Sequence, residues 1–164
     1  MKKQIKKKTG FTIIEVVLVL AIAGLIFLMV FVALPTLQKS QKDTQRRSGV
    51  ARASTAVTNY LVNNGELPNA GASGSNFIGS YLGGSDFKDP SGNSYTMQFF
   101  GIGSGDNKGD GTAKNDYGTG SYVMTVYVGA KCDGDHASST GAGANDYAVV
   151  YKLEGSGSYC VGNQ

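Results

Sequence analysis

The chain has 164 residues, enough for one domain of ordinary size and too few for two with separate cores. Its formal net charge of +3 is unevenly spread: residues 1–10 hold five lysines and no acid, residues 11–37 hold only Glu15, residues 38–52 carry a net +4 and residues 53–164 a net −5. That segmentation, with 21 of the 24 glycines in the last 100 residues, argues against a soluble cytosolic enzyme and against a DNA-binding domain with a uniformly basic face.

The first element is apolar. Val16 to Leu34 is an uninterrupted run without a charged or polar side chain. At a rise of about 1.5 Å per residue it spans roughly 28 Å, close to the hydrocarbon thickness of a bilayer. A soluble core helix of that length would show a polar face. The run is longer than the apolar core of an ordinary signal peptide and ends in Pro35, Leu37 and Gln38 without a small-residue cleavage pattern, which favours a retained helix. Five basic residues follow it as well as five preceding it, so charge counting alone leaves the orientation open. The long glycine-rich segment with two cysteines that comes next fits the outside.

Glu15 breaks the apolar stretch that starts at Phe11. A carboxylate inside a membrane helix costs about 2.5–3.5 kcal/mol at the bilayer centre and less near the interface, so such a residue is a functional candidate by default. Its context is Lys6-Lys7-Lys8-Thr9-Gly10-Phe11-Thr12-Ile13-Ile14-Glu15. Here the sequence resembles the type IV pilin family, which includes the pseudopilins of type II secretion. The matching pattern is a short lysine-rich leader ending in glycine, then Phe, then an apolar stretch with Glu as its fifth residue. The close resemblance covers about residues 6–34. It implies a class III signal peptide cut between Gly10 and Phe11 by a prepilin peptidase, with Phe11 becoming N-methylphenylalanine. It implies an α+β, pilin-like fold: a long N-terminal helix, half membrane-spanning and half amphipathic, packed on a small antiparallel sheet. The expected organisation is a leader at 1–10, a membrane and assembly helix at 11–37, an amphipathic helix at 38–64 and a globular head at 65–164. Many members of the family place a proline earlier in the helix. Here Gly24 and Pro35 are the expected positions of any bend, since a helix-interior proline removes a hydrogen bond and crowds the preceding turn.

Beyond Thr36 the helical pattern turns amphipathic. Val50, Ala53, Val57, Tyr60 and Leu61 recur at three- and four-residue spacing, and Asn63-Asn64-Gly65 with Pro68 stops the helix. The basic cluster Lys39, Lys42, Arg46 and Arg47 reads first as a solvated or headgroup-facing patch, second as a contact with the acidic head of a neighbouring subunit, and third as a nucleic-acid contact. No aromatic residue interleaves with these charges, which weakens the third reading.

In the head, residues 65–93 read as irregular, with a short helical turn near residues 76–82. Three stretches alternate as strands do, at 94–102, 121–128 and 146–154, and would lay one apolar face on the helix stripe. The connections 103–120 and 129–145 read as long glycine-rich loops. Cys132 and Cys160 form a disulfide by default in an exported head, and many pilins tie their C-terminal region this way.

No catalytic constellation is present, and the chain reads as no enzyme; no cofactor is expected. Asp106 and Asp110 sit in a loop with faint calcium character, but Lys108 occupies a ligand position and no Glu closes the loop. The loop therefore defines no metal site. The combined reading is a structural subunit: the major pilin of a type IV pilus serving adhesion, twitching motility or DNA uptake. The alternatives are a major pseudopilin of type II secretion and a monomeric membrane-anchored binding domain. The resemblance implies as partners copies of the chain itself, the prepilin peptidase, and an inner-membrane assembly platform with its motor ATPase. It also implies a single-pass cytoplasmic-membrane precursor and a cell-surface filament. Removal of the leader would take away five positive charges and leave the mature side chains at −2.

Overall fold

The computed structural model describes residues 10–69, 71–101, 122–154 and 157–163. The chain divides into two compact units with the boundary between Gln38 and Lys39. The first unit is helical from Ile13 onward and belongs to α1, which runs Ile13–Asn64 and passes through Gly24 and Pro35 as one helical run. Its large apolar side chains are exposed all round, with Leu20 at 66% and Phe31 at 72%. An 18-residue window of this helix has a mean hydropathy of 3.2 and no buried residue, which qualifies it by length and composition to cross a membrane.

In the second unit α1 becomes one-sided, as the stripe predicts. Val50, Ala53, Ala56 and Val57 are buried, and Tyr60 and Leu61 pack at the margin. Gly49 lets Tyr95 approach the helix closely: a Cβ there would lie 3.3 Å from the tyrosine hydroxyl. After the helix come α2 (Gly74–Tyr81) and a single 3-10 turn at Gly84–Asp86. Among the described residues the strands are β1 (Thr96–Gly101), β2 (Val123–Val128), β3 (Lys131–Asp133), β4 (His136–Ser138), β5 (Tyr147–Lys152) and β6 (Ser158–Gly162). The three alternating stretches read from the sequence are β1, β2 and β5. Their inward residues Met97, Phe99, Met124, Val126, Tyr147, Val149 and Tyr151 form the core with the helix stripe.

The main sheet has the order β1-β2-β5-β6 and is not wholly antiparallel: β1 pairs with β2 in parallel, with Met97 opposite Met124 and Phe99 opposite Val126. Alternation reports which face is buried and carries no strand direction. A parallel pair needs a connection of a dozen residues or more, and the stretch 102–122 meets that length. The other two pairings are antiparallel. The stretch 129–145, expected to be loop, contains the β3–β4 hairpin, which turns at Gly134 with φ +62°. That is the positive φ required at the first position of a II′ hairpin turn. The hairpin packs Ala130 and Ala137 with Tyr127 and Ala148 in a second, smaller core.

Four devices lock the head together. Tyr147 on β5 donates its hydroxyl proton to the Ser54 carbonyl at 2.7 Å and lies 2.7 Å from Thr58 Oγ1, which pins the sheet to the helix. Cys132 on β3 and Cys160 on β6 form the expected disulfide, with Cα atoms 5.7 Å apart. Asn163 then accepts the Tyr147 backbone N–H at 2.8 Å and donates to the Asn145 carbonyl, so the chain end braces the start of β5.

A charged cluster is the fourth device, and it corrects the reading of the basic neck. Arg46 is 4% exposed. Its guanidinium donates to Asp89 at 2.7 Å, Glu154 at 2.8 Å and Asp43 at 3.1 Å, so one helix side chain gathers carboxylates from three parts of the chain. Burial alone would raise the Asp89 carboxyl, but the Arg46 hydrogen bonds and the Ser91 N–H outweigh it and hold the group below the usual range. Arg47 stacks over the Tyr159 ring at 5.0 Å and Arg52 over Phe87 at 5.3 Å. Of the basic cluster, Arg46 is thus buried in the fold and Arg47 is tied to it by a ring contact.

Two outcomes are expected in denaturation of the detergent-solubilised chain. Arg46→Gln leaves Asp89 as a buried uncompensated charge and should destabilise the head by about 3–5 kcal/mol. Because the folded Asp89 pKa is depressed, its contribution is present above the unfolded value near 3.9 and lost as pH falls through the lower folded value. The wild-type denaturant midpoint should therefore drop below about pH 4, with a shallower drop in Arg46→Gln. Separately, a Cβ at Gly74 would overlap the Met97 carbonyl oxygen. Gly74→Ala should therefore cost about 1–3 kcal/mol by overpacking, read from the same midpoints.

Candidate functional site

The sequence singles out the start of α1, and the geometry there is specific. Gly10, Phe11 and Thr12 precede the helix, and Phe11 is 91% exposed. A Cβ built on Gly10 would meet nothing within 4 Å. The Gly10–Phe11 peptide bond thus lies in exposed, non-helical backbone, the form in which a peptidase can engage a chain.

Thr12 is the residue that begins the helix. Its carbonyl accepts from the N–H groups of Glu15 at 3.2 Å and Val16 at 3.4 Å. The Glu15 carboxylate folds back over the same residue: Oε2 accepts the Thr12 backbone N–H at 2.9 Å and the Thr12 hydroxyl at 2.8 Å. This is the Glu-to-N-cap half of a capping box, in a Thr-x-x-Glu spacing. The hydroxyl donates to the carboxylate instead of accepting from the helix. The carboxylate also sits at the positive end of the helix dipole, where negative charge is favoured. Charge and hydropathy single out Glu15 but not Thr12. The Thr-x-x-Glu spacing immediately before an apolar run was the available signal.

The remaining residues singled out from the sequence fall elsewhere. Gly24 and Pro35 lie within α1, among exposed apolar neighbours. Cys132 and Cys160 belong to the head. Asp106 and Asp110 lie outside the described residues. Among the described residues no group of three or more His, Cys, Asp or Glu side chains could hold a metal ion. His136 is exposed on β4.

Residues 5–31 match the family described as the prokaryotic N-terminal methylation motif. That motif supports a type IV pilin-like prepilin with a class III signal peptide. The match spans Lys6, Lys7, Lys8, Gly10, Phe11, Thr12, Glu15 and most of the apolar run, and ends before Pro35. No curated protein and no solved structure matches the chain. The pilin-like layout of a long apolar helix followed by a small, largely antiparallel sheet is therefore this chain's own geometry, and it agrees with the motif.

The geometry separates two donors to Glu15. Thr12→Val removes the hydroxyl and leaves the backbone N–H, whereas Thr12→Ser keeps both. In a membrane-fraction assay, Thr12→Val should still lose its leader. Because the hydroxyl it removes competes for Glu15 with any incoming cation, Thr12→Val should assemble at least as well as wild type, Thr12→Ser should behave as wild type, and only Glu15→Ala should lose assembled material.

Proposed function

We propose that the chain is the precursor of a filament subunit, the major pilin of a type IV pilus, cut between Gly10 and Phe11 and N-methylated at Phe11. The observation that carries this reading is the placement of Glu15 inside the methylation motif, at the start of an apolar helix that nothing among the described residues covers. After cleavage the new cationic amine lies about four residues, or roughly 6 Å, from Glu15 along the chain. In a staggered stack the amine of an incoming subunit meets Glu15 of a neighbour.

That amine would replace two neutral donors, the Thr12 N–H and hydroxyl. A charge-assisted hydrogen bond is about twice as strong as a neutral one, and low dielectric strengthens the attraction. The contact fixes axial register. The apolar side chains from Val16 to Leu34 then leave lipid and bury against other copies, with Gly24 and Pro35 as the points where the helix adjusts. Once the bundle stands in water, that burial is worth about 25 cal/mol per Å². The partners under this reading are other copies of the chain, the prepilin peptidase, an assembly platform and a separate motor ATPase. The precursor resides in the cytoplasmic membrane and the product on the cell surface.

The same motif serves a major pseudopilin of type II secretion, so the test must see the product. Electron microscopy of sheared surface material, with the subunit identified by mass, should show long filaments built of this chain. Glu15→Ala should be processed normally and yield no filaments. A pseudopilin would instead leave the surface bare and impair protein export when deleted. A monomeric anchored domain would be indifferent to Glu15→Ala.

A further inference from the structure

Of the five basic residues after the apolar run, three have a role inside the head: Arg46 with its three carboxylates, Arg47 over Tyr159 and Arg52 over Phe87. Lys39 and Lys42 do not. Neither takes part in an ion pair, a hydrogen bond or a ring contact among the described residues, and Lys39 is exposed while Lys42 is half-exposed. They stand three residues apart and so share one helix face. That face continues through Arg46, Gly49, Val50, Ala53 and Val57, the residues that the head covers.

By chain distance Lys39 follows Leu34, the last residue of the apolar run, by five positions and Lys42 follows it by eight. At about 1.5 Å per helical residue these are roughly 8 and 12 Å. The headgroup layer beside the hydrocarbon is about 5–8 Å deep, so Lys39 lies at its outer edge and Lys42 just beyond it, where a long side chain angled back toward the helix N-terminus can reach in. Lysine stems in that layer lie along apolar surface while the ammonium reaches for phosphate. Anionic headgroups attract such cations, whereas zwitterionic ones carry no net charge to do so.

We propose that Lys39 and Lys42 form a binding site for the phosphate of an anionic phospholipid on the head side of the bilayer, holding the unassembled subunit at a fixed depth. The ligand is a bilayer lipid and not a soluble anion. This rests on residues 16–34 spanning the membrane, and it is independent of which filament the subunit enters.

The test uses the full chain in detergent micelles doped with equal phosphatidylcholine and phosphatidylglycerol, with retained lipid counted by native mass spectrometry. The leader lysines are present in every arm, so only the change on substitution is read. Lys39→Gln/Lys42→Gln should lower the phosphatidylglycerol-to-phosphatidylcholine ratio by fivefold or more, and Lys88→Gln/Lys131→Gln should leave it unchanged. Millimolar inorganic phosphate should not displace the lipid. An unchanged ratio in the Lys39/Lys42 variant overturns the proposal, even where that variant fails to assemble, which would assign the pair to a contact between copies. Displacement by phosphate overturns it in favour of a soluble anion. Failure of the wild-type chain to resist carbonate extraction from vesicles would instead refute the membrane-spanning reading itself.

Discussion

Residues 11–37 present apolar side chains in every direction, and no other part of the described chain covers them. Water tolerates such a surface poorly, so it must be covered by lipid or by other chains. The rest of the molecule is arranged around that constraint. A leader of lysines precedes the surface, a carboxylate interrupts its start, and a folded head follows it. The head closes its own core on the second half of α1 and leaves the first half available for a partner.

Glu15 makes the exposed helix specific. An apolar rod alone would associate in any register, because burial is non-directional. A single carboxylate in a low-dielectric surrounding admits few arrangements, since leaving it unpaired is costly. Before assembly the Thr12 hydrogen bonds and the helix dipole satisfy it locally. The same donors are neutral and can be displaced by a cation. Under the proposed function, Glu15 is thus satisfied in the monomer and exchanges these donors for a neighbour's amine on assembly.

Much of this was legible in the sequence, for physical reasons. Long apolar runs, helix stripes and strand alternation are one-dimensional records of burial, and α1, β1, β2 and β5 followed from them. A disulfide pairing is forced when only Cys132 and Cys160 exist. The parallel β1–β2 pairing left no such record, because direction depends on how a connection is routed. The β3–β4 hairpin and β6 are too short for alternation to register and are held by pairing, by the disulfide and by Asn163. Arg46 looked like one more surface charge because its partners Asp89 and Glu154 are far away in sequence. Thr12 was hidden for the opposite reason: its partner is three residues away, and the apolar run drew attention past it.

The central claim is that the mature chain begins at a processed Phe11, whose amine is the partner of Glu15. Intact and peptide mass spectrometry of the chain isolated from its native membrane tests it directly. The account predicts a mature N-terminus at Phe11 carrying one methyl group, with residues 1–10 absent. A chain that begins at Met1 or Lys2 with an unmethylated Phe11 would contradict it.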